Sequence, residues 1–215
     1  MSETLTITEI YGSIQGESSY TGMPCTFVRL TGCPLRCRWC DTAYAFEGGQ
    51  PTTIDQVVAE VKKIGLPLVE MTGGEPLAQK AAIPLMRTLV DAGFKVLIET
   101  GGSEPIEEVP RDVHIIMDIK CPGSKMSDRN RWANLDFLKP TDEIKFVLAD
   151  RSDFDWAENL VAQKKLNERC SLLYSCAFGL LQPKDLAEWM VANRSKARLQ
   201  LQQHKYIWHP RAKGV

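Results

Sequence analysis

Short apolar segments that alternate with helical stretches constrain the fold of this 215-residue chain more than any other feature. The order strand, helix, strand, helix builds a parallel sheet with right-handed crossovers. Six or seven such segments are fewer than a closed βα barrel needs, so the predicted class is α/β, a partial (open) barrel with a mainly parallel sheet of about six strands. The predicted strands lie at 26–30, 66–74, 95–100, 114–120, 143–149 and 171–177, with an edge strand at 198–207.

Helical periodicity between these segments predicts the crossovers. Residues 53–65 (TIDQVVAEVKKIG) repeat apolar side chains at the spacing of one helix face, with Thr53 at the N-cap position and Gly65 as the stop. Residues 76–92 predict a second helix, which Gly93 closes. Further helices are expected near 153–167 and 183–196.

The bulk composition is that of one globular domain, which we expect to span 1–215. Apolar residues make up 44% and charged residues 25% of the chain. The formal net charge of −1 gives no reason to expect a nucleic-acid partner. No apolar run reaches the ~18 residues of a membrane span, and the first residues lack the basic and apolar regions of a signal peptide. We therefore expect a cytoplasmic protein with no membrane partner.

Four loops rich in cysteine or glycine directly follow predicted strands. In folds built from βα units, the loops at the carboxyl ends of the strands hold the chemistry. We therefore expect the functional site at that edge of the sheet. The four loops are the cysteine loop that runs to about Gly49, TGGEP (72–76), ETGG (99–102) and KCPGS (120–124).

Three of the seven cysteines fall close together, as Cys33-x3-Cys37-x2-Cys40. In a reducing compartment cysteines stay thiols, so a cluster of them indicates a metal rather than disulfides. This spacing can wrap three corners of a cubane iron–sulfur cluster, and no fourth cysteine follows nearby. One iron then stays open, and an open metal position usually serves chemistry.

The same three cysteines also fit two simpler structural roles. One is a structural zinc site with a distant fourth ligand, for which His114, His204 or Cys121 is available. The second is a set of three unrelated buried thiols. Buried thiols are also what we expect of the remaining cysteines, Cys25, Cys121, Cys170 and Cys176.

The cysteine motif, with Trp39 before its last cysteine, resembles the signature of the radical S-adenosylmethionine (SAM) superfamily. MTGGEP (71–76) is similar to the glycine-rich motif of that superfamily, whose backbone holds the methionine amino group of SAM. Glycines allow such an approach because they carry no Cβ. The resemblance implies a [4Fe–4S] cluster whose open iron binds SAM, and reductive cleavage of SAM to a 5′-deoxyadenosyl radical.

Longer segments of the sequence narrow the resemblance from the superfamily to one family. EIYGSIQGES (9–18), FVRLTGCPLRCRWCDT (27–42), ETGG (99–102) and HKYIW (204–208) together resemble the 7-carboxy-7-deazaguanine synthase (QueE) family of the queuosine, or 7-deazapurine, pathway. This resemblance implies conversion of 6-carboxy-5,6,7,8-tetrahydropterin to 7-carboxy-7-deazaguanine with loss of ammonia. It also implies a Mg²⁺ ion, a homodimer, and an electron donor such as flavodoxin or ferredoxin. The aromatic residues of the last stretch, Tyr206 and Trp208, are expected to pack in the core.

The resemblance assigns roles to individual residues. Cys33, Cys37 and Cys40 would hold the [4Fe–4S] cluster, and the hydroxyl of Thr42 would bind Mg²⁺. No protein residue is expected to be catalytic, since SAM delivers the radical. The expected SAM-binding residues are Trp39, Gly73, Gly74, Glu75, Glu99 and Ser124. The expected pterin-binding residues are Ile14, Gln15, Gly16, Glu17, Arg29, Thr72 and His204.

Some of these residues also suggest a role by their own chemistry. The carboxylate of Glu17 can accept two N–H bonds from a 2-aminopyrimidinone edge, or it is a surface acid. Arg29 lies mid-strand, where an unpaired charge is costly, so it should pair with the substrate carboxylate or with a protein carboxylate. Without the family, Thr42 would be a cap or turn residue and His204 a core residue. Lys120 is expected to neutralise a nearby carboxylate.

Two further functional classes fit the same motifs. A different small radical SAM enzyme, such as a glycyl-radical activase, would need a docking groove for a partner loop. A protein that is not an enzyme, either an iron–sulfur electron carrier or a zinc-stabilised interaction module, would bind no SAM. In that case the TGGEP turn would have no function.

Overall fold

Strands and helices alternate along residues 3–215, the part of the chain that the computed structural model describes. The strands are β1 Thr4–Ile14, β2 Pro24–Leu30, β3 Gln50–Thr53, β4 Leu68–Gly73, β5 Lys95–Thr100, β6 His114–Asp118, β7 Glu143–Leu148, β8 Ser171–Cys176 and β9 Arg198–Gln200. The α-helices are α1 Ile54–Ile64, α2 Ala82–Asp91, α3 Arg151–Lys164, α4 Pro183–Asn193 and α5 His204–Ile207. No helix within these residues has both the length and the apolar surface needed to cross a bilayer.

All nine strands form one sheet, in the order β3-β1-β2-β4-β5-β6-β7-β8-β9. Every neighbouring pair from β2 to β9 is parallel, whereas β1 pairs antiparallel with both β2 and β3. The two edge strands, β3 and β9, do not pair with each other. The open α/β barrel with a mainly parallel sheet is therefore confirmed.

The predicted number of strands, six or seven, is too low because β1 and β3 were not recognised. Glycine is rare in strands, yet Gly12 lies within β1, opposite Thr26. The turn that follows β1 begins only after Ile14, and two backbone hydrogen bonds fix it. The N–H of Gln15 donates to the carbonyl of Met23 (2.8 Å), and the N–H of Gly22 donates to the carbonyl of Gln15 (2.8 Å). Antiparallel pairing with β2, a long-range contact, thus decides the conformation of β1.

Both predicted ends of helix α1 are confirmed. Thr53 is the N-cap, and its side chain and that of Gln56 form a reciprocal capping box. Gly65 ends the helix in the left-handed conformation, with φ 76°. The buried side chains Val57, Val58 and Val61 lie on one face.

The helix predicted for 76–92 is interrupted. A short 3-10 turn covers Pro76–Ala78, and α2 begins only at Ala82. Gln79 is extended (φ −106°, ψ 114°), and its side chain bonds backbone groups of Thr6 and Thr31. Its amide accepts from the N–H of Thr6 (2.7 Å) and donates to the carbonyls of Thr6 (3.0 Å) and Thr31 (2.9 Å).

The segment after α4 also differs from its prediction. The edge strand is confirmed but ends at Gln200, and α5 follows. Leu199 and Leu201 are exposed, whereas Gln200 between them is buried and donates to the hydroxyl of Thr21 at 3.1 Å. In this strand the polar side chain is buried and the apolar ones are exposed, the reverse of the usual pattern, because the inner face of the sheet is polar here.

Side chains alternate across the sheet, and its two faces differ in chemistry. The outer face packs under the helices and forms the main core, to which β2 contributes Val28 and Leu30 and β4 contributes Val69 and Met71. A smaller apolar cluster lies on the inner face and fills the amino-terminal half of the barrel; its buried members are Cys25, Phe27, Leu68, Leu97 and Ile116.

Toward the carboxyl ends of the same strands, the inner face becomes charged. Two residues after each of Phe27, Leu68, Leu97 and Ile116, the same face of the strand presents an ionisable side chain. These side chains are Arg29, Glu70, Glu99 and Asp118, and Lys145 of β7 joins them. The sheet therefore has an apolar base and a charged rim at the edge predicted for the site.

Candidate active site

A cavity of about 800 Å³ opens at the carboxyl edge of the sheet. This volume lies within the range of small-molecule and cofactor sites. The cavity brings together most of the predicted site residues: Ile14, Gln15, Gly16, Glu17, Arg29, Cys33, Cys37, Trp39, Cys40, Thr42, Thr72, Gly73, Gly74, Glu99 and His204. Glu75 and Ser124 are the two predicted residues that do not line it.

The three cysteines sit on one wall of the cavity as free, partly exposed thiols. Leu35, buried beneath them, directs its N–H toward the Sγ of Cys33 at 3.4 Å. Burial raises the pKa of all three thiols, and the charge of Lys120 acts on each of them in the opposite direction. A nearby cation thus favours the thiolate form that metal binding requires.

Among residues 3–215, no group of three His, Cys, Asp or Glu side chains converges closely enough to hold a single metal ion. A mononuclear zinc site needs such convergence, whereas in a cubane cluster each thiolate binds a different iron. Of the three residues named for the fourth ligand of a zinc site, His204 lines the same cavity, and the other two lie elsewhere. Cys121 lies in the outer core, and His114 faces Glu143 at 3.5 Å.

The turn after β4 requires its two glycines. Gly73 has φ +122°, a conformation that side chains rarely adopt. A Cβ on Gly74 would collide with the carbonyl oxygen of Gly32, at the start of the cysteine loop. The backbone of this turn is bonded to that loop, since the N–H of Glu75 donates to the same carbonyl at 2.8 Å. The cysteine loop and the glycine turn therefore form one unit.

Glu75 and Ser124, both expected to contact SAM, lie behind the residues that line the cavity and bond the loops of the site from there. The buried carboxylate of Glu75 accepts from the N–H groups of Leu77 (3.1 Å) and Gly101 (2.7 Å) and from the hydroxyl of Thr100 (2.9 Å). The hydroxyl of Ser124 donates to a backbone carbonyl at 2.6 Å. The Ser124 carbonyl accepts the N–H of Arg38 in the cysteine loop, at 3.1 Å.

Lys145 forms the centre of the cavity floor. Its ammonium lies 2.9 Å from the carboxylate of Glu17 and also contacts Glu99. Gln202 donates to the other oxygen of Glu17 at 2.9 Å. Burial acts to raise the pKa of Glu17, but the charge of Lys145 and the hydrogen bonds from Gln202 and Lys145 together outweigh it, and the pKa is lowered. Glu17 is therefore held ionised and oriented.

A second carboxylate on the floor behaves differently. Glu70 is buried and accepts from the side-chain amide of Gln15 at 2.8 Å. Burial and the nearby charge of Glu99 raise the pKa of Glu70 to about 8. The oxygen of the same Gln15 amide accepts the N–H of Glu17 at 2.6 Å. Gln15 thus connects neutral Glu70 with ionised Glu17. Separately, the hydroxyl of Thr72 donates to Glu99 at 3.3 Å.

Arg29 forms a protein ion pair, one of the two alternatives for it. Its Nε donates to Glu9 at 2.7 Å, across the β1–β2 pair, and its Nη2 donates to the hydroxyl of Tyr11 at 2.7 Å. Tyr44 also donates to Glu9, at 2.8 Å. Because Arg29 and Tyr44 both line the cavity, this network forms a polar part of its wall.

Thr42 and Asp41 place two oxygen groups beside the last cysteine. The hydroxyl of Thr42 donates to one oxygen of Asp41 at 2.9 Å, and Lys205 bonds the other at 2.6 Å. Burial acts to raise the pKa of Asp41, but Lys205 lowers it to about 2. Thr42 is the N-cap residue of a short 3-10 turn but makes no capping bond, so its hydroxyl serves Asp41 instead.

The C-terminal segment closes the cavity on the side of the N-terminal turn. His204 packs against Gly16, where any Cβ would overlap its ring. Burial lowers the pKa of His204, so its imidazole is neutral at pH 7. Residues 210–215 also line the cavity. In contrast, Tyr206 is 60% exposed, so its assignment to the core was wrong.

The sequence motifs do not single out several ionisable residues of the cavity, among them Glu70, Lys145 and Lys205. The signal for Lys145 was present, because a lysine inside the apolar strand EIKFVLA must meet a carboxylate when both faces of the strand are buried. Lys120 was expected to neutralise a carboxylate, and it pairs with Asp118 at 2.8 Å.

Comparisons with known proteins agree with this geometry. The model of the radical SAM superfamily matches residues 27–121, which include all three cysteines and the glycine turn. A relative from Koribacter versatilis, named 7-carboxy-7-deazaguanine synthase, is 50% identical over 97% of this chain and 99% of its own. One of the same name from Chlorobaculum tepidum is 47% identical over 98% of this chain and 97% of its own.

A solved structure agrees at the level of the fold. The crystal structure of QueE from Escherichia coli superimposes with a TM-score of 0.78 at 23% identity, covering 94% of this chain and 95% of that one. The fold, the cysteine motif and the sequence identity to named relatives over nearly the full length lead to the same assignment. The chain belongs to the 7-carboxy-7-deazaguanine synthase family of the radical SAM superfamily.

Proposed function

We propose that this chain converts 6-carboxy-5,6,7,8-tetrahydropterin to 7-carboxy-7-deazaguanine, with loss of ammonia, in 7-deazapurine biosynthesis. The observation that carries the proposal is the single cavity that joins three free thiols, a glycine turn and an ordered polar floor. The name shared by the relatives supports the identity of the product.

The donor groups fit the two cofactors of the superfamily. Free thiols suit iron–sulfur clusters, and the turn at Gly73 and Gly74 exposes backbone without a Cβ to the same cavity. When bound, the cluster and SAM supply the 5′-deoxyadenosyl radical. Trp39, Gly73, Gly74 and Glu99 would contact SAM from the cavity wall. Glu75 and Ser124 hold the two loops that carry these contacts.

Magnesium fits the pair of oxygen groups next to Cys40. Mg²⁺ prefers carboxylate, hydroxyl and water oxygens. Thr42 lines the cavity, and Asp41, whose low pKa keeps it ionised, accepts a hydrogen bond from the Thr42 hydroxyl. Thr42 would bind the ion directly, and Asp41 would orient the hydroxyl.

The remaining residues would position the pterin. Glu17, held ionised by Lys145, would accept N–H bonds from the 2-amino edge. Arg29 would face the substrate carboxylate, while Glu9 fixes its orientation. Neutral His204 would donate or accept one bond at the ring. The contribution of these residues is orientation, because the cofactors carry the radical step.

The expectations about assembly and location extend the proposal. The protein would act in the cytoplasm, as one domain over 1–215 and as a homodimer. An electron-transfer protein, a flavodoxin or a ferredoxin, would supply the electron. No nucleic acid would be needed for turnover.

The test is anaerobic turnover of the reconstituted protein with dithionite, SAM, Mg²⁺ and 6-carboxytetrahydropterin, followed by mass spectrometry. We expect both 5′-deoxyadenosine and 7-carboxy-7-deazaguanine. Cys33→Ala should abolish both, whereas Cys170→Ala, the same change at a buried thiol outside the motif, should retain them.

Two outcomes would change the assignment. 5′-Deoxyadenosine without the deazaguanine would leave a radical SAM enzyme with another substrate, such as a glycyl-radical activase. If a protein with a verified cluster formed neither product, an electron carrier would be the better description. Full turnover by Cys33→Ala would contradict the role of the cysteine motif.

A further inference from the structure

Positive charge is concentrated around the cysteine loop, although the whole chain has a formal charge of −1. Segments 33–40 and 120–131 contain only one carboxylate, that of Asp128. Their cationic residues are Arg36, Arg38, Lys120, Lys125, Arg129 and Arg131. Such a local excess is a property of this surface rather than of the composition.

Four of these cations form what we call the basic rim: Arg36, Arg38, Lys125 and Arg129. All four are exposed, and none of them lines the cavity. They therefore lie on the outer side of the cysteine loop, facing away from the space for SAM and pterin.

The two segments that carry the basic rim are joined into one surface. The N–H of Arg38 donates to the carbonyl of Ser124 at 3.1 Å, and that of Arg36 approaches the sulfur of Met126 at 3.3 Å. The guanidinium of Arg36 also donates to the carbonyls of Cys33 and Leu35, both at 2.7 Å. The positions of the charges are thus tied to the loop that holds the cysteines.

The charges of the basic rim are available to a partner. Among residues 3–215, no carboxylate forms a salt bridge with any of its four side chains. Three of the cations that line the cavity differ in this respect. Lys120 is paired with Asp118, Lys145 with Glu17 and Lys205 with Asp41.

We propose that the basic rim is the docking surface for an acidic electron-transfer protein that reduces the group held by the three cysteines. This inference rests on the proposed function, which requires an electron from outside. One electron leaves the reduced centre of the partner and enters the centre bound to the cysteines, so the partner is oxidised and this protein reduced.

Two physical arguments support this choice of partner. Electron transfer between proteins weakens steeply with distance, and two members of the basic rim, Arg36 and Arg38, lie between the cysteines in the same loop. Complementary charge steers association and fixes the orientation of the encounter. An acidic protein docked here would approach the cysteines without blocking the cavity through which substrate enters.

The experiment compares two triple variants with the same change in net charge. The first is Arg38→Gln/Lys125→Gln/Arg129→Gln. The control is Lys62→Gln/Lys95→Gln/Lys165→Gln, three exposed lysines at the opposite, amino-terminal edge of the sheet. Lys165 matches Lys125 because both adopt a left-handed conformation, with φ 51° and φ 63°. Arg36 is not changed, since it also holds the loop backbone.

Two readouts are needed. Binding of an acidic flavodoxin and of an acidic ferredoxin is measured by calorimetry at low and at physiological salt, on the reconstituted protein. Product formation is then measured with the reduced partner and, separately, with dithionite. We expect the rim variant to weaken partner binding at least about tenfold and to lose most of its salt dependence. The control should bind like the parent, and dithionite turnover should be unchanged in both variants.

The outcomes separate this inference from the proposed function. Unchanged binding in the rim variant, equal weakening in the control, or no binding of either donor to the parent would overturn the docking surface. An equal loss of partner-driven and dithionite-driven turnover would also overturn it, because the basic rim would then act on the cluster itself. Absence of product with dithionite in the parent would instead contradict the proposed function, and the binding measurement would still decide the surface.

Discussion

The ammonium of Lys145 lies 2.9 Å from the carboxylate of Glu17, although the two residues are 128 positions apart, and it also contacts Glu99. Burial acts to lower the pKa of Lys145, but the charges of Glu17 and Glu99 outweigh it and raise the pKa well above its usual range. A fixed cation therefore orients two carboxylates toward the cavity at every pH at which the enzyme works.

Replacing Lys145 by Met should leave two carboxylates facing each other without a cation. We expect a loss of roughly 3–5 kcal/mol in the free energy of unfolding at pH 7, the usual cost of breaking a buried ion pair. The loss should shrink below about pH 4.5, where the carboxylates can take up protons. Urea unfolding at both pH values measures it. The double variant Lys145→Met/Glu99→Gln should recover part of the loss, and strict additivity of the two changes would contradict the pairing.

Glu17→Gln should weaken pterin binding and leave SAM binding unchanged. A hydrogen bond to a charged group contributes about 1.5–3 kcal/mol, so we expect a loss of roughly ten- to a hundredfold in affinity. Calorimetry with the pterin, and separately with SAM, measures the two affinities. Glu60→Gln, on the exposed face of α1, is the control. Parallel loss of both affinities would mean that Glu17 supports the whole cavity rather than the substrate.

Glu70→Gln should change the pH dependence of stability. The folded pKa of about 8 lies above the ~4.3 of an unfolded glutamate, so the unfolded state releases its proton first. The parent therefore loses stability as the pH rises from about 4.3 to about 8, and the amide does not. We expect the variant to gain on the order of 1–3 kcal/mol relative to the parent across this interval. A constant difference between their unfolding curves from pH 5 to 8 would exclude the raised pKa.

Gly74→Ala should displace the cysteine loop, because the new Cβ meets the carbonyl of Gly32. We expect a loss of about 2–4 kcal/mol in stability and less iron bound per chain after anaerobic reconstitution. Gly48→Ala is the matched control on the same loop. Its Cβ would meet nothing within 4 Å, and its φ of +86° should cost only about 1 kcal/mol. If both variants bound iron equally, the contact between turn and loop would have no role in holding the cysteines.

The parallel strands and α1 could be predicted because local pattern and tertiary environment agree there. The strands that begin at Leu68 and Lys95 are mainly apolar, and the sequence around α1 contains recognisable residues for both helix caps. The N-terminal hairpin could not be predicted in the same way. Strand β1 contains Gly12 and several polar residues, and only its pairing with β2 and β3 makes it a strand.

Site residues that belong to short sequence motifs could be predicted. Those whose environment depends on a contact with a distant part of the chain could not. The cysteines and Gly73 follow from short motifs. The burial of Glu75 does not, because its donors Thr100 and Gly101 belong to the next βα unit. The pairing of Arg29 with Glu9 depends on an antiparallel register that short sequence patterns do not encode.

The two halves of the cavity become complete at different times during protein synthesis. The cysteine loop and the glycine turn that supports it lie between Cys33 and Glu75, so they leave the ribosome early and together. Glu17 leaves the ribosome earlier still, yet its partner Gln202 is synthesised 185 residues later. The bonds that hold the cysteine loop and the glycine turn reach as far as Ser124, whereas the contacts that orient Glu17 are complete only once Gln202 has been made. The substrate side of the cavity is therefore the last part of the site to be completed.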